Sequence, residues 1–292
     1  MMRQRMIALA AVLVSTVLLA SCAATPGGTE ADSIADSAEK QLAALPGVES
    51  VEVDQHPDLF SVRIAVTVIA DATPELAAAA AEATRAFSEE HSGDGQFFAE
   101  LNVGGPTHDA DLDMLIPNPV RVEIFPKAWR SPAEDVTAAM EARAIPGVRT
   151  VAIHHGWPSL ATVGAGDLAG AYDEVHQFAL FASGGSYGTM DGHLKLIALP
   201  HRVSPATLKT VILVAAAYPQ ADVALEAPLE GEQWPQLYLN RVTTEEATAI
   251  TAILTATSLA GHRVEGYAVP YFMRVSGESG QEDVSGLIGG GT

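Results

Sequence analysis

The sequence predicts an α+β protein of repeated split βαβ, or ferredoxin-like, units: antiparallel sheets with helices on one face. Three observations predict it. Helix starts recur as a hydroxyl residue before proline, at Thr73-Pro74, Ser131-Pro132 and Ser204-Pro205, pairing a capping oxygen with a residue suited to the first helical position. Helix ends recur as Leu45-Pro46-Gly47-Val48 and Ile145-Pro146-Gly147-Val148, with Tyr218-Pro219 serving in a third copy. Turns between strands recur as His56-Pro57-Asp58-Leu59, Trp157-Pro158-Ser159-Leu160 and Trp234-Pro235-Gln236-Leu237.

The elements follow in order. Ser131 with Glu134 and Thr243 with Glu246 have capping-box spacing. Leu76, Ala80, Ala83 and Phe87 form one apolar helix face, and Ile250, Ile253, Leu254 and Thr257 another. After the helix ends, Val51 and Val53, Val151 and Ile153, and Val223 and Leu225 alternate as half-buried strands do. Phe60, Val62, Ile64, Val66 and Val68 continue that alternation in the first copy. Leading strands run from Val120 to Phe125 and from Leu194 to Leu199. The predicted units are 33–117, 118–192 and 193–275. Their strand count does not close: the second and third both claim the strand at Leu194, and the first lacks a leading strand unless Gln96 to Ile116 supplies it. The Leu/Ile-Pro-Gly-Val-x-x-Val-x-Val element resembles small ferredoxin-like modules of bacterial envelope proteins, such as BON domains, over about 10 residues per copy. That likeness carries no function.

The amino terminus carries a separate message. Arg3 and Arg5 precede an apolar run from Met6 to Leu19, the layout of an export signal. The run is about 14 residues, short of the ~20 that span a bilayer. It ends in Leu19-Ala20-Ser21-Cys22, which resembles the lipobox of bacterial lipoproteins. The resemblance implies cleavage after residue 21, diacylation of Cys22 and a lipid anchor on the extracytoplasmic side of the membrane. Two acyl chains hold far more firmly than one. Residues 22–32 read as a flexible tether and 276–292, ending in Gly289-Gly290-Gly291, as a disordered tail.

Composition narrows the function. The chain has 16 Lys+Arg against 36 Asp+Glu, a formal −20. Residues 1–21 hold two Arg and no acid, so the mature chain carries −22. Such a surface repels nucleic-acid phosphates and anionic lipid headgroups, which excludes nucleic acid as a partner. A single cysteine excludes disulfides, iron–sulfur clusters and cysteine-based zinc sites.

Several motifs resemble chemistry. Gly184-Gly185-Ser186-Tyr187-Gly188 matches the Gly-x-Ser-x-Gly nucleophile elbow, with Asp222 and His262 as conceivable partners. An elbow, however, joins a strand to a following helix, and here a helix from Asp167 to Phe181 comes first. The motif reads as a glycine-rich loop. Gly164-Ala165-Gly166-Asp167 has the look of a dinucleotide fingerprint, but Asp167 puts a carboxylate where pyrophosphate needs a bare helix end. Asp109, Asp111 and Asp113 have calcium-loop spacing, yet Met114 and Val120 stand where glycine and an acid are required. They are an incomplete metal set. His154 and His155 are adjacent on a predicted strand and so point to opposite faces, which prevents joint chelation in the simplest geometry. The turn rings His56, Trp157 and Trp234 either pack on their hairpins or form a partner-contact lip.

The expected function is therefore a membrane-anchored, exported lipoprotein with a non-catalytic binding or scaffolding role in the cell envelope. Its partners are the bilayer, through Cys22, and an envelope protein or small ligand. It is not expected to be an enzyme or to use a cofactor. The alternatives are a secreted serine hydrolase using Ser186 and a small-ligand or cation receptor using clefts between units.

Overall fold

Burial alternates along nearly every strand of the computed structural model, which describes residues 26–56, 61–91, 96–109, 114–127, 130–226, 235–277 and 280–290. The order begins with α1 (Pro26–Leu42), β1 (Val48–His56), β2 (Ser61–Val68), α2 (Pro74–His91) and β3 (Gln96–Val103). A small separate hairpin, β4 (Thr107–Asp109) and β5 (Met114–Ile116), leads to β6 (Val120–Ile124), α3 (Pro132–Arg143), β7 (Val148–His154) and β8 (Trp157–Thr162). Then come α4 (Ala165–Val175), β9 (Gly185–Thr189), β10 (Leu194–Ala198), α5 (Pro205–Ala217), β11 (Asp222–Glu226) and β12 (Gln236–Thr243). The described chain closes with α6 (Thr244–Leu254), β13 (Pro270–Gly277) and β14 (Gly280–Leu287).

Twelve of these strands form one mixed sheet in the order β1-β2-β3-β6-β7-β8-β9-β10-β11-β12-β13-β14. Antiparallel and parallel pairs alternate across it, beginning with antiparallel β1–β2 and parallel β2–β3 and ending with antiparallel β13–β14. Among the described residues the true unit is thus a helix followed by an antiparallel strand pair, six times over, with β4 and β5 inserted between the paired strands of the second. This corrects the expectation of separate antiparallel ferredoxin-like units. Each crossover helix returns the chain to the strand next to the one it left, whereas a split βαβ keeps another strand between them. The contested strand at Leu194 pairs antiparallel with β9 on one side and parallel with β11 on the other. The boundaries drawn at 118 and 193 therefore fall within one continuous sheet.

Two further expectations change. Helix α1 starts at Pro26, inside the segment read as a tether, with proline again at a helical first position. The segment read as a disordered tail contains β14, paired with β13 from Pro270↔Leu287 to Gly277↔Gly280.

The helix-end signature has a precise structural meaning. Gly47 and Gly147 both have left-handed φ, +76° and +88°. Each is followed by a one-residue register shift, between Val48 and Ser50 and between Val148 and Thr150. A Cβ at Gly47 would lie 2.2 Å from Leu76, and one at Gly147 3.0 Å from the Cβ of Asp167. Both neighbours stand in the first turn of the next helix. Thr243 and Glu246 make the reciprocal capping box. Ser131 does not cap its helix through its side chain but donates to Glu82 at 2.6 Å, tying α3 to α2.

One core runs beneath the whole sheet, uniting strand residues such as Ile64, Leu101, Val122, Leu196 and Leu239 with helix residues from α1 to α6. Since only alternate strand residues join it, the helices share one face of the sheet. On α2 the inward residues are Ala77, Ala80, Ala81, Thr84, Phe87 and Ser88. The buried Thr84 and Ser88 hydroxyls donate to carbonyls one turn back. On α6 they are Ala247, Ile250 and Leu254, while Ile253 is exposed.

Aromatic packing is densest under β9. Tyr187 meets Tyr172 edge-on at 5.6 Å and stacks on Phe181 at 5.3 Å. Burial pushes both phenols well above the ordinary tyrosine range, with smaller contributions from Asp173 on Tyr172 and from Tyr172 on Tyr187. The native state thus retains protons that the unfolded chain releases near pH 10. The stability these groups give is full below about pH 10 and falls as pH rises beyond it. Alkaline titration followed by phenolate absorbance should show Tyr172 and Tyr187 ionising only as the protein unfolds. Ionisation of all six tyrosines before any loss of near-ultraviolet circular dichroism would contradict this.

Candidate functional site

The face of the sheet away from the helices is polar and exposed or half-buried. It presents Arg63 from β2, Phe98 and Glu100 from β3, Arg121 and Glu123 from β6, His154 from β7, Trp157 and Ser159 from β8, and Ser186 from β9. Farther along it carries Lys195, Asp222, Tyr238 and Phe272. Phe98 and Phe272 keep 38% and 41% of their surface exposed, and Phe272 stacks on Tyr238 at 5.6 Å.

A cluster of chemistry-bearing groups stands where β6 meets the β7–β8 hairpin. His154 pairs with Trp157, leaving His155-Gly156 as a two-residue turn. Their φ angles are +50° and +73°, as a type I′ hairpin turn requires. His155 therefore leaves the strand, and alternation no longer separates its ring from that of His154. The two rings lie 4.2 Å apart. Both converge on Glu123: its Oε2 lies 2.8 Å from His154 Nδ1 and 3.5 Å from His155 Nδ1. The same oxygen accepts the His155 backbone N–H at 2.8 Å. Phe125 stacks on the outer imidazole at 5.2 Å. The carboxylate side chain is 13% exposed and the two imidazoles 63% and 61%. The expectation that these histidines cannot act together is overturned, because His155 is a turn residue. A residue-Gly pair between alternating runs was the available signal.

Glu123 stands directly opposite Glu100 in the β3–β6 register. Like charges so placed repel, and each draws its own cations. Glu100 takes Arg63 at 2.9 Å and Arg121 at 4.0 Å, while Glu123 takes the two histidines.

A second polar group joins β11 and β12. Asp222 accepts from Arg241 and pairs with His193 at 3.0 Å. Slight burial pushes its carboxyl upward, but the His193 and Arg241 hydrogen bonds outweigh that and hold it below the ordinary range. Arg241 has left-handed φ, +59°, within the register shift between Leu239 and Val242.

The other sequence candidates fall as follows. Cys22, Asp111, Asp113 and Trp234 lie outside the described residues. Asp109 ends β4, paired with Met114. His56 is the last residue of β1, whereas Trp157 opens the second strand of its hairpin, so the two residues hold different positions in their hairpins. Trp157 lies across β9, its indole Nε1 donating to Ser186 Oγ at 2.9 Å. Ser186 is mid-strand, not in a loop, and pairs with Ser159 and Ile197. Asp222 stands beside the other end of β10, roughly 13 Å further along the strand direction. His262 lies with Arg202, Ser204 and Leu259 around α5, in the helical layer. The fold does not bring Ser186, Asp222 and His262 together. Asp167 caps α4, its carboxylate accepting the Gly164 N–H at 3.2 Å.

No protein-family model matches this chain, and no curated protein or solved structure shows significant similarity to it.

Proposed function

We propose that this chain is a lipid-anchored protein of the bacterial envelope that binds or scaffolds through the open face of its sheet. One observation carries the reading of the body: a twelve-stranded sheet has its helices on a single face. Among the described residues a sheet with one layer of helices leaves its other side uncovered, and that side carries the exposed rings of Phe98 and Phe272, a residue type enriched at protein interfaces. The reading of the anchor rests on Leu19-Ala20-Ser21-Cys22 alone. No described helix is long and apolar enough to cross a membrane.

Replacement of Cys22 by Ala, followed by fractionation of bacterial cells expressing the full chain, tests the anchor. The wild type should sediment with membranes and the variant should not; unchanged retention would refute lipidation. A fluorophosphonate probe tests the serine-hydrolase alternative, since only an activated serine reacts. Labelling lost in Ser186→Ala would replace this proposal with the hydrolase reading.

A further inference from the structure

We propose that Glu123, His154 and His155 form a binding site for one divalent transition-metal ion, zinc above all, on the open face of the sheet. The inference holds whether or not Cys22 is acylated.

The ligand set fits. Two imidazoles and a carboxylate form a three-ligand zinc set, and nitrogen and oxygen donors of this kind favour zinc, copper or nickel over magnesium or calcium. One donor atom from each residue lies within 4.8 Å of the other two. Donors around a tetrahedral zinc, each about 2.0–2.2 Å from the metal, stand roughly 3.4 Å apart. The distances from Glu123 Oε2 to the two Nδ1 atoms, 2.8 Å and 3.5 Å, bracket that spacing. Small rotations of two exposed rings would seat the ion.

The fold also holds the donors in place. Glu123 sits on β6, an interior strand paired on both sides, its Oε2 tied to the His155 N–H at 2.8 Å. His155 occupies a left-handed conformation that few non-glycine residues adopt, at a cost of order 1 kcal/mol. That conformation carries its ring to the same carboxylate as its neighbour, and Phe125 backs it. Three protein ligands leave a fourth tetrahedral position on the exposed side. Water fills it in the isolated protein, and a donor atom of a docked partner would replace that water.

The test is calorimetric titration of chelator-stripped, full-length protein in detergent with zinc chloride. One saturating zinc per chain with micromolar affinity is expected, and excess calcium or magnesium should not displace it. Cobalt in place of zinc should give the visible bands of a tetrahedral ion. Glu123→Gln, His154→Gln and His155→Asn should each weaken binding at least tenfold while melting within a few degrees of the metal-free wild type. Asn is chosen at 155 because it tolerates left-handed φ. Absence of saturable binding below ~100 μM would overturn the proposal. Affinity unchanged in all three variants would overturn it as well, assigning the zinc to other histidines.

Discussion

Replacing Gly184 by alanine should destabilise the protein by about 3 kcal/mol or more, whereas Ser186→Ala should cost about 1 kcal/mol. Gly184 has φ +121°, and a Cβ there would lie 2.6 Å from the Ala198 carbonyl oxygen and 2.7 Å from the Trp157 ring. The first obstacle is backbone of the next strand and cannot swing aside. Gly185 is closely packed too, its Cβ meeting Phe181 at 2.6 Å, whereas Gly188 is less constrained, its Cβ standing 3.1 Å from the Leu194 carbonyl. Ser186 only receives the Trp157 indole hydrogen bond at 2.9 Å. Its loss leaves one half-buried donor that water can serve. A nucleophile elbow would also need closely packed glycines; what it would add is an activity that depends on the serine. Urea unfolding of the two variants therefore tests the packing alone. A Gly184→Ala protein as stable as the wild type would show that the close approach to Ala198 and Trp157 is wrong.

The same glycines explain why β9 is hard to read in the sequence. Strands announce themselves through alternating large apolar residues, as Val62, Ile64, Val66 and Val68 do on β2. On β9 the inward residues are Gly185, Tyr187 and Thr189, with one large ring, so the pattern resembles a loop. Without β9, Leu194 has no antiparallel neighbour and the strand count fails to close. Several local signals were legible: the Pro-Gly-Val joins end helices and open bulged strands at both 47 and 147, and Ser204 and Thr243 cap their helices, although Ser131 does not through its side chain. Global order was not, because whether a crossover returns to the adjacent position or skips one depends on contacts between distant residues. The site failed at one residue. Treating His155 as strand instead of turn sends its ring to the wrong side and hides the convergence on Glu123.

Ending the chain after Gly277 should lower stability by several kcal/mol, although the removed residues read as a polar, glycine-rich tail. Ile288 is 3% exposed, and its burial alone is worth about 2 kcal/mol. Its N–H donates to the Val269 carbonyl at 2.9 Å, and Gly289 N–H donates to the Leu254 carbonyl at 2.7 Å. Gly289 has φ +81°, and a Cβ there would strike the Ala260 nitrogen at 2.7 Å, so this glycine marks close packing and not slack. Arg263 donates to the Gly290 carbonyl beyond it. Truncation would also open Tyr271, Met273 and Val275, each at most 2% exposed, along a newly unpaired edge prone to association. Gly286→Ala probes the same strand without shortening it. Its Cβ would lie 2.5 Å from the Tyr271 hydroxyl and 2.7–2.8 Å from ring carbons. Tyr271→Phe, which removes the nearest of those atoms, should recover part of the loss but not all of it. Hydrogen exchange at β13 amides should accelerate in Gly286→Ala and much less in the double variant. Equal melting temperatures for the full and shortened chains would return the segment to a dispensable tail.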